Sequence, residues 1–206
     1  KPNLPNLLAT PSDRYKLRCA FVARDDNVFL VADYAQLELR VLAHMSKCTS
    51  MANKIAKGGD FHSEVAADMF PHVRQAVDAG EVFLGDDGPP GSLSVKSKFG
   101  SERGKAKAIN FGVAYGKEAQ SLSEDLNITR GEAEDLVARW YADKQEILRW
   151  KRGLIQYGRT SGRAYSLLGR WRTLPHIGIR DVYWARSRTE RAAVNFGVQV
   201  GSAQIA

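Results

Sequence analysis

The stretch R-G-K-A-K-A-I-N-F-G-V-A-Y-G, from Arg103 to Gly116, decides how the rest of the chain is read. Arg103, Lys107, Phe111 and Tyr115 recur every fourth residue, and at about 3.6 residues per helical turn they form one slightly slanting stripe. Core-facing stripes are apolar and solvent-facing stripes are polar, whereas this one carries two cations on its first two turns and two aromatics on its last two. The N-terminal half sets fixed positive charge beside the positive end of the helix dipole, a seat for phosphates. The C-terminal half offers flat rings. A ligand with a polyphosphate at one end and a planar ring at the other matches such a stripe, which describes a nucleotide. A surface helix whose aromatics dip into a neighbour gives the same pattern, so on this stretch alone both readings stand.

Upstream, Tyr15 to Ala23 alternates loosely, the R-D-D-N cluster at 24–27 makes a turn, and V-F-L-V-A follows at 28–32, which predicts an antiparallel strand pair. The second run ends in Asp33, after which Leu37, Val41, Leu42 and Met45 take up helical spacing. Asp33 to Glu38 is therefore a strand-to-helix junction. An aspartate behind five apolar residues is costly to bury unless it is paired or binds metal, and the competing role is a helix N-cap. A short helix is expected over 49–56, ending at Gly58 and Gly59, and Asp60 then caps a helix carrying His62, Val65, Ala66 and Phe70. His62, near that helix N-terminus, has either a phosphate contact or an ordinary satisfied role open to it. Glycines and prolines crowd 80–100, which reads as a mobile surface insertion.

Downstream, a helix is expected over 119–127, and the capping box T-R-G-E at 129–132 opens a long helix through about Tyr157. Residues 163–168 and 170–174 form a plausible hairpin, 175–178 a turn, and 181–195 a helix broken by Gly197. Residues 1–12 read as loop.

With 206 residues, 44% hydrophobic, the chain is long enough to bury a core, and no run of about 18 apolar residues predicts a membrane span. Cys19 and Cys48 lack metal-ligand spacing, which fits a reducing compartment and argues against structural zinc. Of the net charge of +7, residues 139–191 hold 13 Lys and Arg against 4 Asp and Glu. Trp140, Tyr141, Trp150, Tyr157, Tyr165, Trp171, Tyr183 and Trp184 interleave with these cations, which suits nucleic acid; a basic helical surface over buried aromatics is the alternative. The chain opens without Met and closes in mid-pattern, so it is expected to be a fragment.

Taken together, the Asp33 junction and the Arg103 stripe resemble the polymerase domain of the family A DNA polymerases, the DNA polymerase I type. D-Y-A-Q-L-E-L-R at 33–40 resembles that family's D-Y-S-Q-I-E-L-R, and the 103–116 stretch resembles its fingers motif R-x3-K-x3-F-x3-Y-G. G-D-F-H at 59–62 is similar to its D-I-H, Arg191, Asn195 and Gln199 to its R-x3-N-x3-Q block, and P-N-L-P-N near the start to its P-N-L-Q-N. Five motifs in the family's order span nearly the whole chain. The wording around 57–62 and the insertion at about 80–100 resemble plant and protist organellar members more than bacterial ones, so a mitochondrion or plastid is expected, with bacterial cytoplasm as the alternative. Pro5 stands at a family Gln, and V-G-S-A-Q follows Gln199 where G-S-A-A-D is usual, which sets Val200 at a glycine position and Gln204 at an acid.

The resemblance implies an α+β, helix-rich fold: an incomplete palm with an antiparallel sheet at 1–60, helical fingers at 61–180, and a return to palm at 181–206. It implies deoxynucleotidyl transfer to a primer 3′-hydroxyl with two Mg²⁺ ions, one ligand being Asp33 with help from the Tyr34 backbone carbonyl. The second catalytic aspartate belongs to an H-D-E motif absent from this sequence, so the chain alone is expected to be inactive. By the same resemblance Arg103, Lys107 and His62 hold the triphosphate, Lys107 protonating or neutralising the departing pyrophosphate. Phe111 lies against the incoming sugar and base, Tyr115 occupies the templating position until closure, and Glu38 is the steric gate against ribose. Gln36, Asn3, Arg191, Asn195 and Gln199 contact sugar, template or the primer-end minor groove. Implied partners are primer-template DNA and deoxynucleoside triphosphates, with no membrane. A non-catalytic nucleic-acid-binding module derived from such an enzyme, and an unrelated nucleotide-binding protein, are the competing readings.

Overall fold

The computed structural model describes residues 17–85, 88–89, 91–179 and 182–206. The expected loop at 1–12, including Asn3, lies outside them. The chain divides between Ala35 and Gln36 into two units.

In the first unit Leu17–Ala20 forms a 3-10 turn, and the Asn27 backbone N–H closes the expected turn onto Arg24 O at 3.0 Å. The strand pair expected around that turn is not formed among the described residues. Residues 28–34 carry no regular structure, and Val28, Leu30 and Val31 are each more than four-fifths exposed. A β-prone run becomes a strand only when a neighbour takes up its backbone groups, and no described strand does so here.

The second unit is built from helices. α1 (Leu37–Ser46), α2 (Thr49–Ala56), α3 (Phe61–Met69) and α4 (Pro71–Asp78) precede the Gly/Pro region. α5 (Val95–Lys98), α6 (Gly100–Ala114), α7 (Ala119–Leu126), α8 (Arg130–Ala142) and α9 (Gln145–Ser161) follow it. β1 (Arg163–Tyr165) and β2 (Trp171–Thr173) pair antiparallel with Arg163 opposite Thr173, as the sequence suggests, and α10 (Tyr183–Asn195) and α11 (Gly201–Ile205) come last. The helix-rich fold with a small antiparallel sheet is the expected α+β class.

α3 and α6 lie against each other at the centre. α6 buries Ala106, Ile109, Asn110 and Val113, which recur at helical spacing, and so sets its Arg103 to Tyr115 stripe along the margin of the core, with Phe111 packed against it and Lys107 exposed. The Gly/Pro insertion is held at both ends: Val82 and Val95 are buried in the main core, and the Val95 N–H donates to Phe83 O at 2.9 Å. Two expectations are corrected. The long helix from 130 is two helices, broken at Asp143 and Lys144: the Lys144 ammonium is buried, donates to Trp140 O at 3.3 Å and pairs with Asp143, whose carboxylate also accepts from Ser50 and Lys54. Gly197 does not end α10 either. The helix runs on through a π-helical turn, Phe196–Val200, into α11.

Candidate active site

α6 begins beside the N-terminus of α3. The Arg103 guanidinium bonds the Asp60 carboxylate, which is the N-cap of α3, accepting from the His62 N–H at 3.1 Å and the Ser63 hydroxyl at 2.7 Å. Burial pushes this carboxyl up, but Arg103 and Ser63 outweigh it and hold Asp60 below the usual aspartate range. Lys107, one turn on, is exposed, and among the described residues no carboxylate pairs with it. Two cations thus stand in line, one engaged and one open.

Next along the rail come rings. His62 is buried, with its ring centroid 5.6 Å from that of Phe111, and Phe111 stacks on Tyr115 at 6.1 Å and 23°. The Tyr115 hydroxyl donates to Glu38 Oε2 at 2.5 Å and bonds the Gln199 side chain as well. Burial, then Glu38, pushes the phenol well above its ordinary pKa, so Tyr115 stays a donor. Arg103, His62, Phe111, Tyr115, Glu38 and Gln199, spread over much of the sequence, therefore form one connected line with Lys107 on its open side.

α10 runs beside the end of that line. Gly116 has φ +73°, so glycine serves the left-handed backbone, and a Cβ there would stand in ordinary contact with Arg191 Cα at 3.5 Å. Arg191 is thereby set next to Tyr115. Asn195 Oδ1, one turn further, is buried with no hydrogen-bond partner among the described residues. Gln199 sits in the π turn, a helical irregularity frequent at functional sites. Val200 is the half-buried last residue of that turn, and Gly201 follows it, its would-be Cβ 3.3 Å from Val41 Cγ1.

Gln36 is the N-cap residue of α1, in the left-handed region at φ 56°, and its side chain makes no cap hydrogen bond. The N-cap role weighed for Asp33 is therefore not taken. Asp33 and Tyr34 are both exposed in the first unit. They offer hard oxygen donors suited to Mg²⁺, yet among the described residues no group of three His, Cys, Asp or Glu side chains gathers as a metal site. The aromatics interleaved with the basic segment split in two. Trp140 and Tyr141 are core residues, while Tyr157, Trp171, Tyr183 and Trp184 are about half exposed or more, with the Arg163 guanidinium 4.4 Å from the Trp171 ring. Sequence reasoning missed Asn110 and Asp60 as members of the site. The available signal for Asn110 was a polar residue at an otherwise apolar position of the buried face of α6.

The family model described as DNA polymerase family A matches residues 1–82 and 91–206. The chain is 45% identical to DNA polymerase I B, chloroplastic/mitochondrial, of Arabidopsis thaliana, over 100% of this chain and 20% of that protein. It is 34% identical to the thermostable DNA polymerase I of Thermus filiformis, over 99% of this chain and 22% of that one. Among solved structures, the POL domain of Pol1 from M. smegmatis, in complex with DNA primer-template and dNTP, superposes with a TM-score of 0.65 at 29% identity, covering 83% of this chain and 26% of that one. The chain spans about a fifth of the length of the curated relatives it matches.

Proposed function

The chain belongs to DNA polymerase family A, and from that premise we propose that it contributes most of the nucleotide site of an enzyme for template-directed DNA synthesis. In this assignment residues 1–60 and 181–206 are palm and 61–180 are fingers. The observation that carries the reading is the line of Arg103, Lys107, Phe111 and Tyr115 along α6, with Glu38 and Gln199 at its far end. Phosphoryl transfer needs little covalent help from protein; it needs positioning and charge neutralisation. Arg103 and Lys107 hold the triphosphate, and Lys107, exposed and with no carboxylate partner among the described residues, meets the leaving pyrophosphate. Arg103 reaches phosphate by exchanging its Asp60 partner for one of higher charge. Phe111 lies against sugar and base, Tyr115 occupies the templating position in the open form, and Glu38 crowds the place of a ribose 2′-hydroxyl.

Gln36, Asn3, Arg191, Asn195 and Gln199 contact sugar, template or the minor groove at the primer end. That groove offers a degenerate pattern, which suits copying any sequence. The basic segment at 139–191, with its exposed Trp171, Tyr183 and Trp184, faces DNA through phosphates and stacked bases. Two Mg²⁺ ions, when bound, activate the primer hydroxyl and offset charge on the phosphates. Asp33 and the Tyr34 carbonyl supply part of that ligand set. On this reading a further aspartate, of the family's H-D-E motif, completes that ligand set, and the 206-residue chain by itself is proposed to be inactive. The organellar names of its plant relatives support a mitochondrial or plastid setting.

Primer extension by the full-length protein tests this. Lys107→Ala should abolish most extension while primer-template binding survives, and that binding should weaken as salt is added. Wild-type rates in Lys107→Ala would overturn the assignment, and extension by the isolated chain would overturn its proposed inactivity.

A further inference from the structure

A neutral histidine carries its one ring proton on either nitrogen, and the choice decides whether its open side donates or accepts. At His62 the surroundings make that choice. Trp140 Nε1 can only donate, and it lies 2.6 Å from Asn110 Oδ1. This contact fixes the Asn110 amide, since the flipped orientation would set two donors against each other. The amide nitrogen then faces His62 Nδ1 at 2.9 Å, so Nδ1 must accept and the ring proton is left to Nε2. Asn110 and Trp140 are fully buried and His62 is 5% exposed, so water does not substitute for these partners. A proton added at Nδ1 would point one donor at another in the same dry space.

The charged groups around the ring act alongside this geometry. Burial is the largest influence and lowers the His62 pKa; Asp60, at the head of α3, favours the cation, and Arg103 and Lys107 on α6 disfavour it, leaving a value of about 4. Trp140 of α8, which reaches the ring through Asn110, is uncharged, and the flanking rings of Phe61 and Phe111 carry no charge.

We propose that Asn110 and Trp140 are positioning residues that hold His62 as its neutral Nε2–H tautomer, so that it meets a nucleotide phosphate as a hydrogen-bond donor while Arg103 and Lys107 supply the charge. The phosphate contact rests on the nucleotide assignment made above; the tautomer does not. Holding His62 neutral makes its contribution to nucleotide affinity constant over physiological pH.

The test uses the full-length protein with ¹⁵N-labelled histidine and no nucleotide, the His62 signals being those lost in His62→Gln. An unprotonated Nδ1 and a protonated Nε2, unchanged between about pH 5.5 and 8, are expected. In Asn110→Asp the carboxylate accepts from both Trp140 Nε1 and a His62 Nδ1–H, so the ring should move its proton to Nδ1 and titrate within that window. The KM for deoxynucleotide should then become pH-dependent by about tenfold, with kcat changing far less. A wild-type ring protonated at Nδ1, or one titrating in that window, overturns the proposal even if Asn110→Asp fails to fold. If the tautomer is as stated but His62→Gln leaves KM within about twofold of wild type, the phosphate contact is refuted separately from the lock.

Discussion

The Tyr115 hydroxyl donates to Glu38 Oε2 at 2.5 Å, tying the end of α6 to the first turn of α1 across 77 positions of sequence. Both side chains are half-buried, and Tyr115 remains protonated, so the polarity of the bond is fixed. The aromatic end of the rail and the carboxylate beside it are therefore held as one piece.

That bond gives Glu38 a defined place from which to exclude a ribose 2′-hydroxyl. Glu38→Ala should raise ribonucleotide incorporation relative to deoxynucleotide by at least about tenfold, because a steric element built against one substrate is lost. Tyr115→Phe should relax the discrimination less and cost about 1 kcal/mol of stability, the worth of one partly buried hydrogen bond. Single-nucleotide insertion assays measure the ratio, and an unchanged ratio in Glu38→Ala would remove Glu38 from the gate.

Phe111 stands between His62 and Tyr115 with no polar atom of its own. A tyrosine there would add a hydroxyl able to replace the missing 3′-hydroxyl of a dideoxynucleotide. The wild-type enzyme should therefore discriminate against dideoxynucleotides, and Phe111→Tyr should recover roughly 10- to 100-fold in their use, equivalent to one good hydrogen bond. Equal incorporation of both forms by the wild type contradicts this.

Folding lowers the His62 pKa from 6.5 to about 4, so between those values the unfolded chain binds a proton that the folded chain refuses. Stability should therefore rise with pH through this window and be lost as pH falls, reaching a loss on the order of 3 kcal/mol once pH is below the folded value. Denaturant titrations at pH 7 and near pH 4.5 measure the slope. His62→Gln, which has no proton to take up, should flatten it; an equal slope in the variant would assign the acid sensitivity to other groups.

Local chemistry made the helical part of the site legible. The every-fourth-residue stripe predicted α6, Asp60 was read as the cap of α3, and T-R-G-E gave the start of α8 with its capping box intact. The misses depend on partners distant in sequence. The 28–32 run looks like a strand by composition, but a strand needs a neighbour that no short-range pattern supplies. The break in the long helix expected from 130 rests on Lys144 being buried with Asp143 and the Trp140 carbonyl at its ammonium, which the helical spacing does not reveal. Gly197 reads as a breaker, yet it is buried in a helix that continues through the π turn, and the neighbours that cover it are distant in sequence. Asn110 is invisible as a site residue because its two partners, His62 and Trp140, flank it at separations of 48 and 30 residues.

The turn at Phe196–Val200 yields a prediction that separates two neighbouring residues. If the π turn absorbs Val200, the tighter position is Gly201, whose added Cβ would meet Val41 Cγ1 at 3.3 Å, so that Val41 must give by a few tenths of an ångström. Val41 belongs to the core face of α1, the helix that also carries Glu38, so displacement there propagates toward the Tyr115 bond. Gly201→Ala should cost about 1 kcal/mol or more through overpacking, despite alanine's better helix propensity. Val200→Ala, at a half-buried position of the wider turn, should cost less than Gly201→Ala. Chemical denaturation of both variants measures the difference. The reverse order would mean that Val200, not Gly201, fills the close-packed place against α1, and that Gln199 reaches Tyr115 from an uninterrupted α-helix.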